Sequence, residues 1–223
     1  MGGAARGVSI VELLVATAIG LLIVAAAGAI VAAQHATSRR LQAEARLMQD
    51  LRAASELVAR DLRRAGHWSA AAASAVRRGD ESVAVNPHAA LAPASAAASA
   101  VALSFSTADD DGGAVDDRDR FGFRLRAGAI ELQLGSRNWQ ALTDPGTLVV
   151  TAFAVEPRVD EIVLATFCER PCSAGSTTCP PRQQVRSFAI TVAARSPTDA
   201  NVVRALQSAV RVRNDVVVGS CEG

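Results

Sequence analysis

The chain has 223 residues, with no lysine, no tyrosine, no proline before Pro87 and no cysteine before Cys168. Arginine carries every basic side-chain charge, so the missing lysine and tyrosine read as compositional bias and not as mechanism. The formal net charge is only +1, which gives no ground for a nucleic-acid partner or a strongly charged one. There is no G-x-S-x-G, no H-E-x-x-H and no glycine-rich phosphate loop. His35, His67 and His88 lie far apart and beside no cysteine or serine signature. These absences predict a protein that is not an enzyme, with no catalytic residue, no cofactor and no metal.

What is present begins with an apolar run, "RGVSIVELLVATAIGLLIVAAAGAIVAA", from Arg6 to Ala33. Val8–Ala33 would measure about 39 Å as a helix, enough to span a hydrocarbon core about 30 Å thick. Gly20 and Gly28 are its weak points, each costing about 1 kcal/mol relative to alanine. Within the run lies one carboxylate, Glu12. A lone acid in lipid costs about 2.5–3.5 kcal/mol on insertion scales, so it calls for a partner. A secretory signal has an apolar core of only about 7–15 residues, shorter than this run. A plain signal anchor fits the length and leaves Glu12 unexplained, unless it snorkels to the membrane surface. A third reading places a cut before the apolar run, after Gly7.

On these residues the segment resembles the prepilin signal of type IV pilins and type II secretion pseudopilins. Gly7 matches the cleavage residue, Val8 the new N-terminus that is methylated, and Glu12 the fifth mature position. Phe is most frequent at the first mature position of that family, and Val8 departs from it. The resemblance implies that Glu12 takes up the terminal amine of a neighbouring subunit when the helices stack. Such an ion pair in an apolar bundle has little solvent competition, and breaking it strands a charge.

Residues 34–66 continue as an amphipathic helix, with a stripe at Leu41, Met48, Leu51, Ser55, Val58, Leu62 and Ala65. Glu56 and Arg60 sit i, i+4 on its outer side, and Gly66 supplies the stop. Residues 67–100 form an Ala- and Ser-rich loop region. Strand-like runs follow at 101–106, 121–126, 129–134, 148–155, 161–168, 185–194 and 210–218, with a tight hairpin at Ala127–Gly128. One long helix followed by strands predicts an α+β fold with an antiparallel sheet. The division is therefore a leader at 1–7, a transmembrane and assembly helix at 8–33, its amphipathic continuation at 34–66, the loop region at 67–100 and a β-rich head at 101–223.

The four cysteines, Cys168, Cys172, Cys179 and Cys221, read as two disulfides in an oxidising compartment. Three pairings remain open, and zinc is disfavoured because the spacing lacks a paired C-x2-C and no histidine is near. "DDDGGAVDDRDR" at 109–120 does not follow the calcium-loop spacing and reads as a solvated acidic loop. Trp68 and Trp139 read as core or edge residues.

Over most of the chain the order "ELLVATAIGLL", "LVARDLRRAGHW", "ITVAAR" and "RVRN" looks like that of the PilW-type minor pilins. J-type minor pseudopilins of type II secretion have a similar layout. The resemblance implies a pilin-like fold, a single pass through the inner membrane and a periplasmic C-terminal head, with a place in the pilus (fimbrium) after assembly. The partners it implies are other minor and major pilins, the prepilin peptidase and the inner-membrane assembly platform. A role in priming the fibre or at its tip follows from it, with a pseudopilin or a tip adhesin as alternatives. One count opposes this orientation: Arg39 and Arg40 follow the span while only Arg6 precedes it, which would place the C-terminal side in the cytoplasm. The cysteines and the prepilin pattern argue for the opposite side.

Overall fold

The computed structural model describes residues 7–71, 84–107 and 114–222. The first six leader residues, much of the Ala/Ser-rich loop and the first part of the acidic loop lie outside them. The chain divides into two compact units, residues 1–45 and 46–223.

Helix α1 runs from Ile10 to Arg64. Good helix formers (Ala, Leu, Arg, Gln, Glu) fill it, and no proline interrupts it. In the second unit its buried side is Leu47, Leu51, Ala54, Ser55, Val58, Ala59, Leu62 and Ala65. The expected stripe holds from Leu51 onward. At its start Leu47 is buried, Met48 only partly, and Leu41 is 61 % exposed, so the buried face begins a turn and a half later than the spacing predicted. Arg60 pairs with the adjacent Asp61, Nε to Oδ1 at 3.2 Å, and not with Glu56.

The helix stops at Gly66, whose φ of 73° is left-handed and suits glycine. Its last carbonyls are satisfied from far along the chain. Asn214 Nδ2 donates to Ala65 O at 3.0 Å, and the Arg213 N–H to Arg63 O at 3.0 Å. Gly66 itself donates to Ser104 O at 2.9 Å, which ties the helix end to the first sheet.

All strand pairs are antiparallel. The first sheet has the order β1 (Ala100–Ser104), β2 (Arg120–Arg126), β3 (Ala129–Leu134) and β4 (Trp139–Ala141). Ala127 and Gly128, at φ 49° and 78°, close the β2–β3 hairpin in the primed geometry that two-residue loops favour. The second sheet has the order β5 (Val149–Val163), β6 (Arg182–Arg195) and β7 (Val203–Arg211), with β8 (Val216–Val218) continuing beside β6. Ala98 bridges to Val155, and the Val150 N–H donates to Gly128 O at 2.8 Å, so the two sheets are stitched together.

Burial alternates along β6, with Arg186, Phe188, Ile190, Val192 and Ala194 inward. Phe188, Ile190, Val192 and Ala194, the apolar residues of the α1 stripe, Phe123, Ile130, Phe153 and Val155 form one apolar core. The α+β pilin-like architecture is thus as expected. Several strand boundaries differ. The runs at 148–155 and 161–168 are not two strands. β5 continues through Pro157 to Val163, and residues 165–167 form a 3-10 turn. The run at 210–218 is broken at Val212–Asp215, where the chain leaves the sheet to cap α1. β4 and most of β7 were not anticipated.

Candidate functional site

The helix begins three residues after Gly7, and Gly7, Val8 and Ser9 have no regular structure. The Gly7–Val8 bond therefore lies in exposed, non-helical backbone. Gly7 has nothing within 4 Å of where a Cβ would sit.

Ser9 caps the helix. Its Oγ accepts from the Val11 N–H at 3.3 Å, and its carbonyl accepts from the Leu13 N–H at 3.0 Å. Ser9 and Glu12 have the S-x-x-E spacing of a capping box, a signal the sequence reading passed over. The return bond from Glu12 is not made. Glu12 has no hydrogen bond or ion pair among the described residues. It stands in the first turn, where the helix dipole favours an anion.

Around it the helix is apolar and uncovered. Val8 is 68 % exposed, Ile10 79 % and Leu22 71 %. This is the helix long and apolar enough to cross a membrane, and none of its apolar window is buried within the chain. An apolar surface of this extent marks contact with lipid or with other helices.

A second cluster gathers the four cysteines. Cys168 bonds Cys221 and Cys172 bonds Cys179, with Cα atoms 5.4 and 5.5 Å apart. Of the three pairings left open by sequence, this is the one formed. The sulfurs of Cys168, Cys172 and Cys179 lie together as metal ligands would, but all are used in disulfides. Beside them the Ser173 hydroxyl and N–H both donate to Glu222, at 2.6 and 2.8 Å, holding that carboxyl below its usual range.

Of the acidic loop, Asp109–Asp111 lie outside the described residues. Asp119 is buried and accepts from the Thr107 hydroxyl at 2.7 Å and the Asp116 N–H at 3.1 Å. Burial alone would raise its carboxyl; those hydrogen bonds and nearby His88 outweigh it and hold the group below the ordinary carboxylate range. His35 and His67 are exposed and His88 is fully buried, so the histidines form no cluster. Trp68 belongs to the buried interior, while Trp139 lies at the sheet edge under the Arg124 guanidinium, 4.0 Å from its ring centre.

A family model described as prepilin peptidase-dependent protein B matches residues 40–212, well over half of the chain. The match starts beyond the apolar run, so it owes nothing to Gly7, Val8 or Glu12. No curated protein and no solved structure matches the chain. The match covers well over half of the chain, and the chain belongs to the prepilin peptidase-dependent protein B family.

Proposed function

We propose that this pilin-like protein is a minor pilin of the PilW type. The prepilin peptidase cuts it after Gly7, Val8 is N-methylated, and α1 holds it in the inner membrane with the head in the periplasm. It then joins other minor and major pilins on the inner-membrane assembly platform and primes the fibre or forms part of its tip. It performs no catalysis. The observation that carries this reading is Glu12: a carboxylate with no partner among the described residues, in the first turn of an uncovered apolar helix, five residues after Gly7.

The chemistry is a charge exchange between subunits. Cleavage creates an α-amine at Val8 with a reference pKa of about 7.7–8.0. In a staggered bundle that cation meets Glu12 of the next subunit. Both charges lie among apolar side chains, so a subunit lacking either one leaves the other stranded. Glu12 thereby fixes register as well as attraction.

Mass spectrometry of the chain matured in the presence of the peptidase tests the reading. The expected first residue is a methylated Val8; any other mature terminus overturns it. Glu12→Leu should leave cleavage intact and abolish entry into the fibre. The family match serves a type II secretion pseudopilin equally well. Loss of twitching on deletion supports the pilus, and loss of secretion supports the pseudopilin.

A further inference from the structure

Two charges remain unexplained by assembly through Glu12: Arg39 and Arg40, the doublet that opposes the expected orientation. We infer that they bind anionic phospholipid headgroups of the leaflet at the C-terminal end of the span, and so seat the helix at a fixed depth. The inference rests on the membrane-helix part of the proposed function and not on its pilin part.

The helix has the dimensions for it. Leu13 to Ala33 measures about 30 Å along the axis, the thickness of a hydrocarbon core. Glu12 marks one boundary. Past Ala33 come Gln34, His35, Thr37 and Ser38, and the Thr37 hydroxyl folds back onto Ala33 O at 3.1 Å. Arg39 and Arg40 then lie about 9–10 Å beyond Ala33. The headgroup layer is about 5–8 Å deep on each side. An arginine side chain spans that difference by reaching back toward the phosphates with its stem along the helix.

The guanidinium groups are available for such contacts. Arg39 is exposed and has no ion pair or hydrogen bond among the described residues. Among the described residues Arg40 is engaged only through Nε, 3.2 Å from Glu44 Oε1, and its side chain is 62 % exposed. Adjacent helical positions point about 100° apart, so the two serve different lipids. A planar guanidinium matches a phosphate with paired N–H donors, which an acidic headgroup rewards more than a zwitterionic one. The doublet that resists crossing the membrane is then held once it has crossed.

The full chain, reconstituted in phosphatidylcholine vesicles with or without phosphatidylglycerol and then extracted in mild detergent, gives the test. Native mass spectrometry counts the lipids retained. The wild type should keep phosphatidylglycerol preferentially. Arg39→Gln/Arg40→Gln should reduce that retention about 25-fold, about five-fold per arginine, with phosphatidylcholine retention unchanged. Arg39→Lys/Arg40→Lys should restore most of it, which a packing role would not do. Equal retention by wild type and the glutamine variant overturns the inference, as does a glutamine variant that keeps its lipid but loses self-association, since the arginines would then serve a neighbouring subunit. A chain that never enters the vesicles overturns the membrane reading together with this inference. A chain that enters but begins at a residue other than Val8 in cells overturns only the pilin part.

Discussion

Asp119 and Arg186 are held by partners that only the fold brings to them, whereas the pattern of Gly7, Val8 and Glu12 is local in the sequence. Asp119 is fastened by Thr107, twelve residues away. Its folded carboxyl titrates below its ordinary value, so its contribution is whole above about pH 4 and is lost as pH falls through the lowered pKa. Thr107→Val should lower stability by about 1–2 kcal/mol at neutral pH and flatten the acid limb of a Tm-against-pH profile. Arg186 is buried. Its Nη1 donates to Ala89 O and its Nη2 to Asn214 O at 2.8 Å. Burial pulls its pKa down and Asp215 pulls it back up, but a guanidinium stays charged. Arg186→Ala strands two carbonyls, and thermal unfolding should show a loss of about 2–5 kcal/mol.

At the scale of elements, periodicity was a good guide wherever one face is buried against the core. The β2–β3 hairpin came out nearly residue for residue, and β6 starts three residues before its expected position. The α1 stripe was right in phase and wrong in extent: apolar spacing cannot say where along a helix the covering sheet begins. Leu51→Ala should cost about 2–5 kcal/mol, whereas Leu41→Ala should fall within about 0.5 kcal/mol of wild type in the same denaturation measurement. β5 was missed as a single strand because Glu156, Pro157, Arg158 and Asp160 look like a loop. They are tolerated because β5 lies at the edge of its sheet, where proline removes no ladder bond that the core needs. β7 was missed for another reason. Its residues are largely Ala, Gln, Ser and Arg, and its outer face is exposed, so neither β propensity nor alternation stands out.

For the whole molecule, composition and order sufficed to predict an α+β chain with a membrane helix and a disulfide-bearing head. They could not choose the pairing, because connectivity depends on which connections the second sheet brings together. The two bridges differ in reach: Cys168–Cys221 closes 53 residues and Cys172–Cys179 only 7. In the chain-entropy view they restrain the unfolded state by about 4 and about 2.5 kcal/mol. Removing Cys168 and Cys221 together should therefore lower the melting temperature of the detergent-solubilised chain more than removing Cys172 and Cys179. An equal drop would show that the short bridge does more than close its own loop.

The carbonyls at the end of α1 wait on a side chain 149 positions downstream. A ribosome adding about 5–20 residues per second needs about 7–30 s to deliver Asn214 after Ala65. The first element translated is thus completed by one of the last. During synthesis its terminus stays frayed, and a nascent chain stalled short of Asn214 presents that open end to quality-control proteases.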